Sequence, residues 1–168
     1  VNGNIFNDQV DFEGYYLDEA RRYYSNIVGK YGVQVQNVLK KLSKLEIKMI
    51  CPLHGPSWRT NLEYYLDKYN KWSTYTPEKK GVVLFFASMY GNTENAINVI
   101  ANKLAEKGVE DIRVYDVSKT HPSEIISEVW KYSHLVIGSP TYNGGLYHVM
   151  DALLHEMEGL NVQNRKVA

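Results

Sequence analysis

From residue 82 onward, short apolar runs alternate with amphipathic stretches, and this rhythm restricts the fold more than any other feature. Val82 to Ala87 is a continuous apolar run of strand length. Asn92 to Lys107 has helical spacing and closes on Gly108. Ile112 to Val117 is a second strand, and Pro122 to Lys131 is a helix with proline in its first turn. Leu135 to Gly138 is a third strand, Tyr147 to Glu158 a helix, and Val167-Ala168 the opening of a further strand. Strands separated by single helices return to the same end of a sheet, so they pair in parallel through right-handed crossovers. The expected fold is therefore α/β, with a doubly wound parallel sheet.

The N-terminal part has a different grain. Residues 1–10 show no clear period. A helix begins after Asp11, a good N-cap, and Phe12, Tyr16, Ala20, Tyr23, Tyr24 and Ile27 keep its spacing until Gly29 and Gly32 interrupt it. Val35, Val38, Leu39 and Leu42 mark a second helix. Ile47 to Cys51 is a strand-sized apolar run, with Cys51 expected as an inert core thiol. Pro52-Leu53-His54-Gly55-Pro56 is a loop, since two prolines and a glycine leave no regular option. A third helix covers Asn61 to Trp72. The polar, proline-containing tract Ser73 to Gly81 is the linker, which divides the chain into residues 1–76 and 77–168.

Composition excludes several classes. Lys+Arg and Asp+Glu both number 19, so zero formal charge gives no electrostatic footprint for nucleic acid or an anionic membrane. No apolar run approaches a membrane span. A single cysteine makes no internal disulfide, and the N-terminus lacks the order of a signal peptide, so a cytoplasmic location is expected. The start at Val1 and the stop after Arg165-Lys166-Val167-Ala168 both read as cut ends.

The sharpest motif is Ser88-Met89-Tyr90-Gly91-Asn92-Thr93, between the first apolar strand and its helix. A helix N-terminus offers unpaired N–H groups and partial positive charge, Ser88 and Thr93 add hydroxyls, and Gly91 admits close approach. These groups make a phosphate nest without Lys or Arg, unlike the lysine-bearing P-loop. A plain capped turn, with Thr93 as the cap, needs some of the same residues. A second candidate, Ser139-Pro140-Thr141-Tyr142-Asn143-Gly144, follows the third strand, where doubly wound sheets bind ligands. Here the plainer alternative is a glycine-rich connection with Tyr142 as a surface aromatic. His54 sits in a rigid loop, where a lone histidine is structural or a metal ligand. His121 stands at a helix N-cap, His134 and His155 read as surface residues, and His148 follows the second loop. Trp58 and Trp72 read as packing anchors.

The first loop resembles the FMN-phosphate loop of flavodoxins, and the second resembles the flavodoxin segment that lines the flavin ring. Tyr142 would be the stacking residue there, with Thr141, Asn143 and Gly144 supplying hydrogen bonds. The whole chain resembles flavodiiron proteins, through Arg21-Arg22-Tyr23-Tyr24, Asn26-Ile27-Val28-Gly29-Lys30-Tyr31-Gly32, Cys51-Pro52-Leu53-His54-Gly55-Pro56 with Trp58-Arg59, and then Ser88 to Thr93. The resemblance implies that residues 1–76 are the C-terminal part of a metallo-β-lactamase-like αββα domain. Residues 77–168 would be a flavodoxin-like FMN-binding domain lacking its C-terminal end. It implies an oxidoreductase in which FMN passes electrons to a non-haem diiron site that reduces dioxygen to water or nitric oxide to nitrous oxide. His54 would be one iron ligand, the others lying outside this chain. A rubredoxin-like electron donor and a head-to-tail homodimer are implied too. A flavodoxin-type electron carrier and an inactive fragment are the competing readings.

Overall fold

A computed structural model describes residues 3–168. The chain divides into two units, Val1–Thr76 and Pro77–Ala168.

The first unit is built from helices around an aromatic core. α1 (Phe12–Tyr15) starts where the Asp11 carboxylate accepts the Gly14 N–H at 3.0 Å. α2 (Leu17–Tyr23) runs into a π-turn at Tyr24–Val28 and a short 3₁₀ turn at Gly29–Tyr31 before α3 (Gly32–Leu42) begins. The segment expected as one helix is therefore broken into pieces. At the start of α3 the Gly32 backbone passes close to Ser73, whose carbonyl oxygen an added Cβ would meet. α4 (Leu62–Ser73) follows Asn61, which holds φ +51°.

Trp58, 2% exposed, stacks on Tyr65 at 4.5 Å and meets Phe12 edge-on at 4.7 Å. Trp72 is fully buried against Tyr24 and Tyr69, at 5.3 Å from each. Both tryptophans thus anchor the core, as expected. Residues 1–10 were illegible in the sequence, and among the described ones Asn7 is buried and closes a network. Its amide donates to the Thr60 carbonyl at 3.0 Å and accepts the Arg59 N–H at 3.0 Å.

The expected strand Ile47 to Cys51 does not form. Only Ile50 makes ladder bonds, exchanging N–H···O contacts of 2.8 Å with Trp58. A strand exists by pairing, and one bridge pair does not extend it. Cys51 consequently lies exposed, not in the core.

The second unit follows the alternation read from the sequence. β1 (Lys79–Phe86), α5 (Asn92–Glu106), β2 (Ile112–Asp116), α6 (Pro122–Lys131) and β3 (Tyr132–Gly138) come first. A hairpin of β4 (Thr141–Tyr142) and β5 (Gly145–Leu146), α7 (His148–Gly159) and β6 (Lys166–Val167) complete it. The four-stranded sheet is parallel, in the order β2-β1-β3-β6. Val83, Leu84 and Phe85 of β1 have no exposure, as a central strand covered on both faces requires. Ile97 of α5 joins Val82, Leu84 and Phe86 in the core. Gly108 takes φ +81° after α5, and His121 caps α6 by accepting the Ser123 N–H at 3.2 Å. Arg165 ties the approach to β6 onto the end of α6. Its Nε donates to the Val129 carbonyl at 2.6 Å and Nη2 to that of Trp130 at 2.9 Å, and burial lowers its pKa to about 10.

Candidate functional site

β1 lies between β2 and β3, so the crossover from β1 to β2 goes one way and β3 lies on the other side. At such a reversal the loops leaving the two central strands separate and open a crevice. Residues 88–91 leave β1, and residues 139–147 leave β3. The strand ends are joined by the Ala87 N–H, which donates to the Gly138 carbonyl at 2.9 Å.

The first loop turns at Gly91, which has φ +82° and no atom within 4 Å of an added Cβ. Its N–H donates to Ser88 Oγ at 3.0 Å, so the half-buried Ser88 braces the turn from inside. Asn92 opens α5, and Asn95 is the first residue to donate back, to the Gly91 carbonyl at 2.9 Å. The earlier N–H groups of a helix have no intrahelical acceptor and face outward. Thr93 is half-buried in that first turn. The Tyr90 side chain is 87% exposed and Met89 37%.

The second loop is a hairpin, which was not anticipated from the sequence. Asn143 and Gly144 take φ +48° and +79°, the two positive values that a tight type I′ turn needs. Residues 141–146 are all exposed. The Tyr142 ring packs edge-on against Tyr147 at 5.9 Å and His148 at 6.5 Å. Ser139 and Pro140 are half-buried in the lead to the hairpin, where Ser139 Oγ donates to the Pro140 carbonyl at 3.2 Å.

Gly138 is a site-shaping residue that sequence reasoning missed. A Cβ there would lie 2.9 Å from Ile97 Cγ1 and 3.0 Å from Thr93 Cγ2. Only glycine lets the first turn of α5 sit this close to the end of β3, and the signal was a glycine at the last position of an apolar strand. The contact turns the Thr93 methyl toward Gly138.

At the neighbouring end of β2, Asp116 accepts Ser118 N at 2.9 Å and Ser118 Oγ at 2.6 Å, and pairs with Lys119 Nζ at 2.9 Å. Burial alone would raise this carboxyl, but these partners outweigh it and hold it below its usual range.

In the first unit, His54 stands exposed at the tip of the loop closed by Ile50 and Trp58. It borders a cleft of about 590 Å³ shared with Tyr16, Tyr23, Tyr65 and Tyr69, and its ring centroid lies 5.3 Å from that of Tyr23. Among the described residues no group of three or more His, Cys, Asp or Glu side chains converges to hold a metal. One imidazole beside phenols does not hold two irons by itself, so such a centre would need ligands from outside the described residues. His134 is half-buried and bonds Ser133 Oγ at 2.8 Å, whereas a surface position was expected; His155 is exposed, as expected.

The family model for flavodoxin matches residues 84–167. The chain belongs to the flavodoxin family. The likeness runs on through the first unit. Nitric oxide reductase of Moorella thermoacetica is 30% identical over 162 residues, covering 95% of this chain and 40% of that protein. Rubredoxin oxygen:oxidoreductase of Desulfovibrio gigas superposes with a TM-score of 0.88 at 29% identity, over 99% of this chain and 42% of that one. A variant of the flavo di-iron protein of Thermotoga maritima gives 0.84 at 26% identity, over 92% and 40%. This flavodoxin-family chain is thus of the flavodiiron type, and it spans about 40% of the length of these relatives. No helix among its described residues is long and apolar enough to cross a membrane.

Proposed function

We propose that this chain is part of an electron-transferring oxidoreductase whose second unit, residues 77–168, holds FMN. One observation carries the reading: a glycine turn and helix start without Lys or Arg at Ser88–Thr93 and an aromatic hairpin at Thr141–Leu146 leave adjacent strands at the strand-order reversal. The open space beside Gly91 and beside Gly144 fits a ligand that approaches backbone closely at both places. The N–H groups of the first turn of α5, with the Ser88 and Thr93 hydroxyls, would take the phosphate. Residues 139–144 would line the ring, with the Tyr142 face as the apolar wall. When bound, FMN supplies one-electron steps between a donor and an acceptor. The protein's part is to fix the ring beside Tyr142 and to keep the phosphate charge at the helix end.

For the whole protein we propose reduction of dioxygen or nitric oxide at a non-haem diiron site. Residues 1–76 would be the end of a metallo-β-lactamase-like domain, and His54 one of several ligands, the rest coming from outside the described residues. A rubredoxin-like donor is supported by the partner that the Desulfovibrio protein's name records. A head-to-tail dimer completes the proposal.

The flavin reading is tested with Thr93→Val in the full-length protein. Loss of one hydroxyl donor to a charged phosphate, about 1.5–3 kcal/mol, should weaken FMN binding roughly 10- to 150-fold. Unchanged FMN affinity removes Thr93 from the site.

A further inference from the structure

The hairpin that carries Tyr142 is short and exposed along its whole length, residues 141–146. Beyond its own two strands, Tyr142 has ring contacts with Tyr147 and His148, where the chain enters α7. Those two rings also meet each other edge-on at 4.5 Å. Three rings therefore make one ledge. Two of its members are phenols and the third is an imidazole.

We infer that His148 is a positioning and charge-setting residue for the flavin site, acting through Tyr142 to make the electron affinity of the bound ring depend on pH. The inference rests on the FMN reading above. Imidazole is the side chain whose charge changes between about pH 5 and 8. As a neutral ring, His148 closes the ledge behind Tyr142 by edge contact. As a cation, it places positive charge 6.5 Å from the centroid of the ring proposed to wall the flavin. Positive charge there favours an electron-rich ligand over an electron-poor one. Among the described residues the ring contacts of His148 are with Tyr142 of β4 and Tyr147 of the connection to α7. Neither is a carboxylate that would neutralise the imidazolium. On its own helix the carboxylate of Asp151 lies one turn further along, exposed as His148 itself is. Proton binding and electron binding are then linked at this ledge, and each promotes the other.

The test uses the full-length protein loaded with FMN, in parent, His148→Phe and His148→Ala forms. Phe keeps an aromatic ring on the ledge but has no proton to gain; Ala removes the ring as well. Redox titrations are run at intervals between about pH 5.5 and 8.5, spanning the imidazole range. The parent's flavin midpoint potential should fall more steeply with pH than that of His148→Phe, the two curves meeting at the alkaline end. His148→Ala should lose the extra slope and also bind FMN more weakly than His148→Phe. Equal slopes in parent and His148→Phe, with FMN bound in both, overturn the inference and leave the flavin reading standing. A parent protein that binds no FMN overturns both.

Discussion

Gly138→Ala is the most direct test of how the second unit shapes its site. The added methyl would lie 2.9 and 3.0 Å from Ile97 Cγ1 and Cδ1, and 3.0 Å from Thr93 Cγ2. Carbon atoms rest at about 3.5–4.0 Å, so one side must move by roughly 0.5–1 Å. Ile97 is 3% exposed and packed on Val82, Leu84 and Phe86, so it has little room to retreat. Overpacking of this kind costs about 1–3 kcal/mol. The first turn of α5 is the part free to yield, and it carries the proposed phosphate N–H groups. Gly138→Ala should therefore lower the urea midpoint at unchanged slope and, separately, weaken FMN binding in the full-length protein. Gly145→Ala is the control. There the nearest atom to an added Cβ is the Tyr142 carbonyl at 3.9 Å, an ordinary contact, and stability should stay within about 0.5 kcal/mol. If Gly138→Ala matches its parent in both midpoint and FMN affinity, the close approach of α5 to β3 does not shape the site.

Four further outcomes are expected. Asp116→Asn should cost about 1 kcal/mol at pH 7, through loss of charged acceptance from Ser118 and Lys119. The folded carboxyl is held low, so its stabilisation is present above the unfolded value near 3.9 and lost as pH falls through the folded one. The gap between parent and variant in pH-dependent urea unfolding should accordingly narrow as pH falls below the unfolded value of about 3.9; a constant gap contradicts this. Arg165→Met, which leaves the Val129 and Trp130 carbonyls without their guanidinium, should destabilise by about 1–3 kcal/mol in urea unfolding, and no loss would show that water satisfies them equally. In the full-length protein, His54→Ala should lower iron content measured by elemental analysis and leave FMN bound; full iron and full gas reduction would remove His54 from the proposed ligands. Limited proteolysis of the full-length protein should cut first between Thr76 and Lys79, because Tyr75 is held back by its hydroxyl, which donates to the Gly29 carbonyl at 2.9 Å; first cuts within β1 to β6 count against a linker there.

What the sequence determined by itself was local or periodic. The β/α alternation from Val82 onward requires a parallel sheet, and the residues of β1 that form an unbroken apolar run are the ones buried on both faces. Caps were equally legible, since Asp11 and His121 satisfy N–H groups only two or three residues away. The position of the Ser88–Thr93 loop between β1 and α5 could be read for the same reason. Tertiary structure decided everything that depends on a distant partner. Ile47 to Cys51 has the composition of a strand, yet only Ile50 pairs, so Cys51 lies in solvent where the apolar run alone placed it in a core. The adjacency of β1 and β3, which sets the two loops side by side, is a choice among strand orders that no local pattern encodes. The ledge of Tyr142, Tyr147 and His148 exists because the Asn143-Gly144 turn folds β4 back along β5 toward the start of α7. Periodicity tells a residue which face it occupies; only the packed chain tells it what stands opposite.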